Sequence, residues 1–412
     1  MTPRSRDRYC NGFRLTIWAV LALLMLLNRP VNAQTFTVLH NFAGGTDGSN
    51  PPDGLTINAA GNLNGTTSAG GLRVSGCEDY EGNYGCGTVF EMKPFGSAWL
   101  FTPLYQFPGG SDFGNPGRGV VFGPDGALYG SAGSSIFRLT PPPSYCSAWF
   151  CSWQSTVLDH LNGQPDADPP SSRLIFDSAG NMYGVSYFGG VYNNGAIFQL
   201  THGSGGWTES VIHSFNVQGG FSEGLPEGSL VFDHAGNLYG TADCNANLGC
   251  FYGAVWELQP SPSGWNLTNL YQFRGTDGYQ PVGVISDRSG NLFGSSFGAG
   301  GTYPGAVYEL SPSNGGWTYT MIHEFSLGDL ANGLVMDSAG NLYGADYEYG
   351  YGYIFKLTPS GSGWIFTTLH TFSGPDGEFP QGQIVIDSHG NLFGTTLRGG
   401  SYGLGTVWEI TP

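Results

Sequence analysis

The chain has 412 residues, of which 14 are Lys or Arg and 31 are Asp or Glu, a formal net charge of −17. Such a balance lacks the basic footprint that nucleic acid and anionic lipid both require, so neither is expected as a partner. Only 11% of residues are charged, while 14% are aromatic and 69 are glycine, which suits a β-rich scaffold rather than a helical or disordered chain.

In chain order, the first expected element is a leader. Arg4, Arg6, Arg8 and Arg14 precede an apolar stretch from Leu15 to Leu27, and Val31-Asn32-Ala33 offers a small-residue cleavage site before Gln34. This pattern reads as a secretory signal peptide over 1–33, with an apolar core short for a membrane span. Cys10 lies ahead of the apolar core, so no lipobox is formed. Cleavage would leave 34–412 as one exported domain, secreted or periplasmic, with a net charge near −21 from 9 basic and 30 acidic side chains. No later apolar run approaches a membrane span. The six remaining cysteines fall into three local couples: Cys77 with Cys86, Cys146 with Cys151, and Cys244 with Cys250. An even count in an exported chain points to loop-stapling disulfides. No CxxC and no His at ligand spacing supports a metal site there, and neither metal nor cofactor is expected.

From residue 36 the sequence repeats. FTVLHNF (36–42) comes first, and then seven units follow, each holding four strand signals. The first signal is an apolar run before a turn, as in SLVFD (229–233). The second is Asn-Leu-Tyr-Gly or a variant, ending in Gly65, Gly130, Gly184, Gly240, Gly294, Gly344 and Gly394, spaced by 65, 54, 56, 54, 50 and 50 residues. The third is a run such as GTVFEM (87–92), GAIFQL (195–200) or GTVWEI (405–410). The fourth typically starts at Trp and ends in His or Tyr before Phe, as in WLFTPLYQF (99–107), WTESVIHSF (207–215) and WIFTTLHTF (364–372), with WQSTVLDHL (153–161) the loosest copy. These short β-branched and aromatic runs show no helical period. The last unit ends after its third strand, and FTVLHNF can supply the missing fourth. A ring closed in this way leaves no exposed blade edge. The expected fold is therefore all-β, a seven-bladed β-propeller of four-stranded blades, completed by its N-terminal strand.

Between the first two strands stands Asp-x-x-Gly-Asn, where an Asx side chain can bond the backbone two residues on and Gly supplies positive φ. Asp177, Asp233, Asp287, Asp337 and Asp387 fit this pattern, while Asn58 and Gly123 stand in the Asp position of the first two units. A turn role accounts for these residues without calcium, since EF-hand spacing is absent. His40, Tyr105, His213, Tyr271, His323 and His370 recur on outermost strands and read as structural. No phosphate-cradling glycine motif is present.

The string Asp-Gly-x-x-Pro-x-Gly, Asp-x-x-Gly-Asn-Leu-Tyr-Gly-Thr-Thr, Gly-Gly and Gly-Thr-Val-Phe-x-Leu, clearest at 46–92 and 376–410, resembles the tandem repeat of the GloVer family of exported bacterial proteins. The resemblance covers 36–412. It implies export and a repeat architecture, and it transfers no activity. The Asp-x-x-Gly-Asn-Leu-Tyr element alone is also similar to NHL and gluconolactonase-like propellers. Anchored members carry C-terminal anchors, whereas this sequence stops at Thr411-Pro412 directly after a strand, which favours a released or periplasmic protein.

Candidate ligand residues lie in two loop types expected on one face. The loops leading into the units place an Asp four residues before a Pro: Asp47, Asp112, Asp166, Asp277 and Asp376. The loops between second and third strands carry the length variation and the aromatics, including Tyr187, Tyr192 and Tyr347. Carboxylates and exposed rings in concave loops suit sugars, whose apolar faces stack and whose hydroxyls donate. Five near-identical Asp-x-x-x-Pro copies equally suit a turn signature repeated with the blade. Two functions remain open. One is a secreted, non-enzymatic, monomeric propeller binding a glycan or cell-envelope component. The alternative is a hydrolase or lyase acting on a polysaccharide or lactone through loop-face carboxylates, although no single unit carries its own carboxylate pair, Ser/His pair or metal cluster.

Overall fold

A computed structural model describes residues 34–412 except 73–76, 78–84, 110–113, 144–151, 217–224, 244–251, 299–303, 328–330, 348–349 and 362. The leader and Asp112 lie outside the described residues. Of the three expected disulfides, the structure shows the one between Cys77 and Cys86, nine residues apart. The other two expected pairs fall outside the described residues, Cys146 with Cys151 and Cys244 with Cys250. Those two pairings therefore stand as expectations from spacing alone.

The architecture is all-β, with seven four-stranded antiparallel sheets and no helix among the described residues. Blade three shows the plan, with strands Ile175–Phe176, Met182–Ser186, Ala196–Gly203 and Gly206–Ser214 running in order from the axis outwards. The seventh blade is assembled from Val385–Ile386, Leu392–Thr396, Thr406–Thr411 and, on the outside, Thr35–Asn41. That last pairing joins the two ends of the repeat array, with Phe36 opposite Ile410 and Asn41 opposite Thr406. The innermost strands are shorter than the apolar runs suggested, only two residues in blades one, three and seven.

Every blade uses the same close approach. The glycine ending the Leu-Tyr-Gly phrase stands opposite an aromatic of the third strand, for example Gly184 opposite Phe198 and Gly394 opposite Trp408. A Cβ at these seven glycines would lie 2.3 to 2.8 Å from that ring. Glycine is present because the ring occupies the space a side chain would need.

The cores lie between blades. Seven buried clusters are each shared by two neighbours, such as Tyr129 and Ile136 of blade two with Leu174, Met182 and Phe198 of blade three. Outermost-strand tryptophans set their edges against the Leu-Tyr-Gly aromatic of the preceding blade, as Trp207 does on Tyr129 at 6.1 Å and Trp317 on Tyr239 at 6.3 Å. The lead-in prolines press on the glycine opening the third strand of the blade before. A Cβ on Gly195 would sit 2.4 Å from Pro226, and one on Gly405 would sit 2.6 Å from Pro51. The recurring Gly, Trp and Pro of the repeat are thus joint residues.

Candidate functional site at the channel mouth

Isolated bridges between Ser49 and Ala69, Ala167 and Gly189, and Glu378 and Arg398 place the lead-in loop and the second loop of a blade side by side on one face. On that face the lead-in aspartates are largely engaged in the joints. Asp47 accepts the Ala43 amide at 2.9 Å and lies 3.2 Å from His40 Nε2. Asp277 accepts the Arg274 amide at 2.7 Å and the Tyr271 hydroxyl at 2.5 Å. Asp376 accepts the Ser373 amide and hydroxyl, both at 2.8 Å, and lies 2.9 Å from His370 Nε2. Burial pushes the Asp376 carboxyl up, but those hydrogen bonds outweigh it and hold it below the usual carboxylate range. The His or Tyr in each case stacks flat on an aromatic of the next blade: His40 on Phe101 at 4.0 Å, Tyr271 on Tyr319 at 4.6 Å, His370 on Phe36 at 3.6 Å. Burial holds the His40 imidazole below its ordinary pKa against the opposing pull of Asp47.

The channel itself is different, because its lining does not repeat. A cavity of about 190 Å³ on the axis is lined by all seven blades, among them Asp53, Arg118, Arg173, Glu227, Phe297, Tyr347 and Gln383. Arg173 of blade three reaches past blade two to blade one. Its guanidinium donates to the Leu55 and Gly54 carbonyls at 3.0 and 2.9 Å and to Asp53 Oδ2 at 3.3 Å. Gly119 makes this crossing possible, since a Cβ there would stand 2.8 Å from the guanidinium. Asp53 and Arg173 are therefore committed to a brace.

Glu227 is not committed. Among the described residues nothing donates a hydrogen bond to its carboxylate, burial pushes that carboxyl above its ordinary pKa, and Arg118 of blade two opposes the rise. Asp243 lies on the same face of blade four, opposite Leu225, while Glu227 stands opposite Thr241. Asp243 accepts the Gln280 side-chain amide at 2.7 Å. The Tyr187 phenol is raised by burial and then by the fields of Asp243, Glu227 and Tyr279. Tyr279 is raised by burial and by Asp243. Phe297 and Tyr347 continue the arc, ring edge to face at 6.4 Å. Blades three to six thus set two carboxylates under an arc of rings, with a guanidinium across the channel. That arrangement can accept hydroxyl protons and stack an apolar ring face, and burial holds the Glu227 carboxyl above its ordinary range.

Of the residues singled out in the sequence, Tyr187 and Tyr347 reach this mouth. Tyr192 stands 52% exposed on the same loop as Tyr187. Asp47, Asp277 and Asp376 cap joints, and Asp166 holds the neighbouring loop through its carbonyl, which accepts the Gly190 amide at 2.7 Å. Glu227, Asp243, Arg118 and Tyr279 were not anticipated. For Arg118 and Glu227 a signal was available, because the positions just after the lead-in Pro change charge from blade to blade while the string around them repeats.

Comparison with known proteins places the chain. The model of the Gloeobacter/Verrucomicrobia repeat matches residues 73–282, 131–347 and 297–412. No curated protein sequence matches the chain. Among solved structures it is similar to a candidate 6-phosphogluconolactonase from Bacteroides uniformis, at 13% identity and TM-score 0.48, over 77% of this chain and 90% of that one. It is also similar to the PQQ-bound aldose sugar dehydrogenase of Streptomyces coelicolor, at 14% identity and TM-score 0.44, over 92% and 98% of the two chains. A candidate gluconolactonase aligns at 16% identity and TM-score 0.42, over 71% and 87%. With family matches that together span residues 73–412, the chain belongs to the Gloeobacter/Verrucomicrobia repeat family.

Proposed function

We propose that this protein is an exported, non-enzymatic binding propeller whose channel mouth takes a carbohydrate. The observation carrying the reading is the departure from repeat symmetry at blades three to six, where Glu227 and Asp243 lie among Tyr187, Tyr279, Phe297 and Tyr347. Carboxylates accept sugar hydroxyls and tyrosine rings stack on sugar faces. Export is consistent with the Cys77–Cys86 disulfide, a bond that persists in oxidising compartments. A hydrolase or lyase acting through Glu227 is the second reading, favoured by the raised carboxyl of that residue.

A glycan array probed with wild type, Tyr187→Ala, Glu227→Gln and His389→Ala tests both readings. His389 is an exposed residue of an Asp-x-x-Gly-Asn turn on the other face. Tyr187→Ala should weaken binding by about 1–3 kcal/mol and His389→Ala should leave it unchanged. Equal loss at His389, or no binding to any glycan, would overturn the proposal. Shortened products from a bound glycan, abolished by Glu227→Gln, would replace it with the enzyme reading.

A further inference from the structure

Where blade two meets blade three, the joint chemistry changes. At four other joints on this face the outermost strand of one blade sets a His or Tyr flat on a ring of the next: His40 on Phe101, Tyr271 on Tyr319, His323 on Phe366 and His370 on Phe36. At blades two and three the corresponding positions hold Asp159 and Glu209, on the strands Gln154–His160 and Gly206–Ser214. The lead-in loop adds Asp166. Glu209 thus stands in the fields of two further carboxylates where four other joints stack rings.

Glu209 is part of the fastening. Its Oε1 accepts the Ala167 amide at 3.1 Å, which pins the lead-in loop to blade three. The same loop holds the next one, because Ala167 bridges Gly189 and the Asp166 carbonyl takes the Gly190 amide. Gly189 and Gly190 lie between Tyr187 and Tyr192. The chain of contacts therefore runs from Glu209 through the lead-in loop to the aromatic loop at the channel mouth.

We propose that the joint between blades two and three is a pH-responsive latch, closed while Glu209 is protonated and loosened when it ionises beside Asp159 and Asp166, and that it sets the order of the loop carrying Tyr187 and Tyr192. Its effect on ligand binding rests on the carbohydrate reading; the latch itself does not. Burial pushes the Glu209 carboxyl up to about 7, the Ala167 amide opposes this, and Asp166 from the loop and Asp159 from blade two add to it. These two are the titratable groups that face it, and among the described residues no Lys, Arg or His pairs with it. A carboxyl whose folded pKa is raised binds its proton more tightly folded than unfolded. The stabilisation is complete below the ordinary carboxylate pKa, falls as pH climbs, and is gone above about 7.

Hydrogen exchange of the full chain without ligand, corrected for intrinsic rates, tests the latch at pH 5 and pH 8. Protection of the peptides spanning 161–168 and 187–195 should fall by roughly tenfold or more at pH 8, while third strands stay protected. Glu209→Gln, which keeps the acceptor and removes the charge, should abolish the fall, and Asp159→Asn should reduce it. Equal protection of wild type at both pH values, or a fall retained in Glu209→Gln, would overturn the proposal. Loss of glycan binding on the array with the exchange response intact would sink the carbohydrate reading and leave the latch standing.

Discussion

At the Gly294/Tyr308 pair the close approach of glycine and ring takes its most demanding form. Tyr308 is fully buried and its hydroxyl has no hydrogen-bond partner among the described residues. Burial accordingly pushes its phenol well above the ordinary tyrosine range. A Cβ on Gly294 would meet that hydroxyl at 2.3 Å. The other blades place Phe or Trp at the same position, opposite their own glycine. The two members of the pair should therefore respond in opposite directions. Tyr308→Phe removes an unsatisfied buried hydroxyl and should be neutral or stabilising by up to about 1 kcal/mol. Gly294→Ala forces a rigid ring to move and should cost about 1–3 kcal/mol. Urea midpoints of the two variants decide the matter, and a destabilised Tyr308→Phe would mean that the hydroxyl is satisfied after all.

The Asp-x-x-Gly-Asn hairpin is the element in which local sequence and local structure agree best. Asp177 Oδ1 accepts the amides of Ala179 and Asn181, both at 2.9 Å, while Oδ2 accepts the Asn181 side chain at 2.8 Å and the Tyr183 hydroxyl at 3.0 Å. Blade two lacks that aspartate, and Asp125 replaces it from inside the turn by taking the Ala127 amide, the Tyr129 hydroxyl and the Arg138 guanidinium. Asn58 serves blade one with two amides only. Burial pushes the Asp177 carboxyl up, and the donors around it outweigh burial and hold it below the usual carboxylate range. Its stabilisation is therefore present above the ordinary carboxylate pKa and lost as pH falls through the lower folded value, the reverse of the Glu209 joint. Asp177→Ala should cost about 1–3 kcal/mol at pH 7. That difference from wild type should shrink below pH 4, so a constant difference across the acid range would show that the carboxylate charge is not what the turn uses.

For the whole molecule the decisive contact is the one between Thr35–Asn41 and Thr406–Thr411. Phe36 lies on His370 and near Trp408, and Phe42 sits fully buried in the cluster shared by blades seven and one. Deleting 34–45 would expose the Thr406–Thr411 edge together with that cluster. An unpaired, apolar strand edge is an aggregation template. The deletion should abolish cooperative melting and yield insoluble protein, as judged by calorimetry and gel filtration; a monomeric product with one sharp transition would contradict closure by this strand.

The sequence by itself determined the blade count, the strand order and the closing strand. Each of these is a short-range property: a period near 50 residues, alternating apolar runs, turn chemistry at fixed offsets, and a third-type strand left at the end without its partner. It also carried the Cys77–Cys86 pairing, which spans nine residues. What the repeated residues do was hidden, because their partners lie one blade away. His40 and Phe101 read as two separate features in the sequence, and the packing of neighbouring blades stacks them at 4.0 Å. Tyr187 and Tyr347 were legible as loop aromatics, but the assembly of the channel mouth was decided by tertiary structure. Arg118, Glu227, Asp243 and Tyr279 come from three blades and more than 150 residues of chain. Radial closure turns their side chains towards one axis, so that burial and mutual fields set charges that no local window of sequence could set.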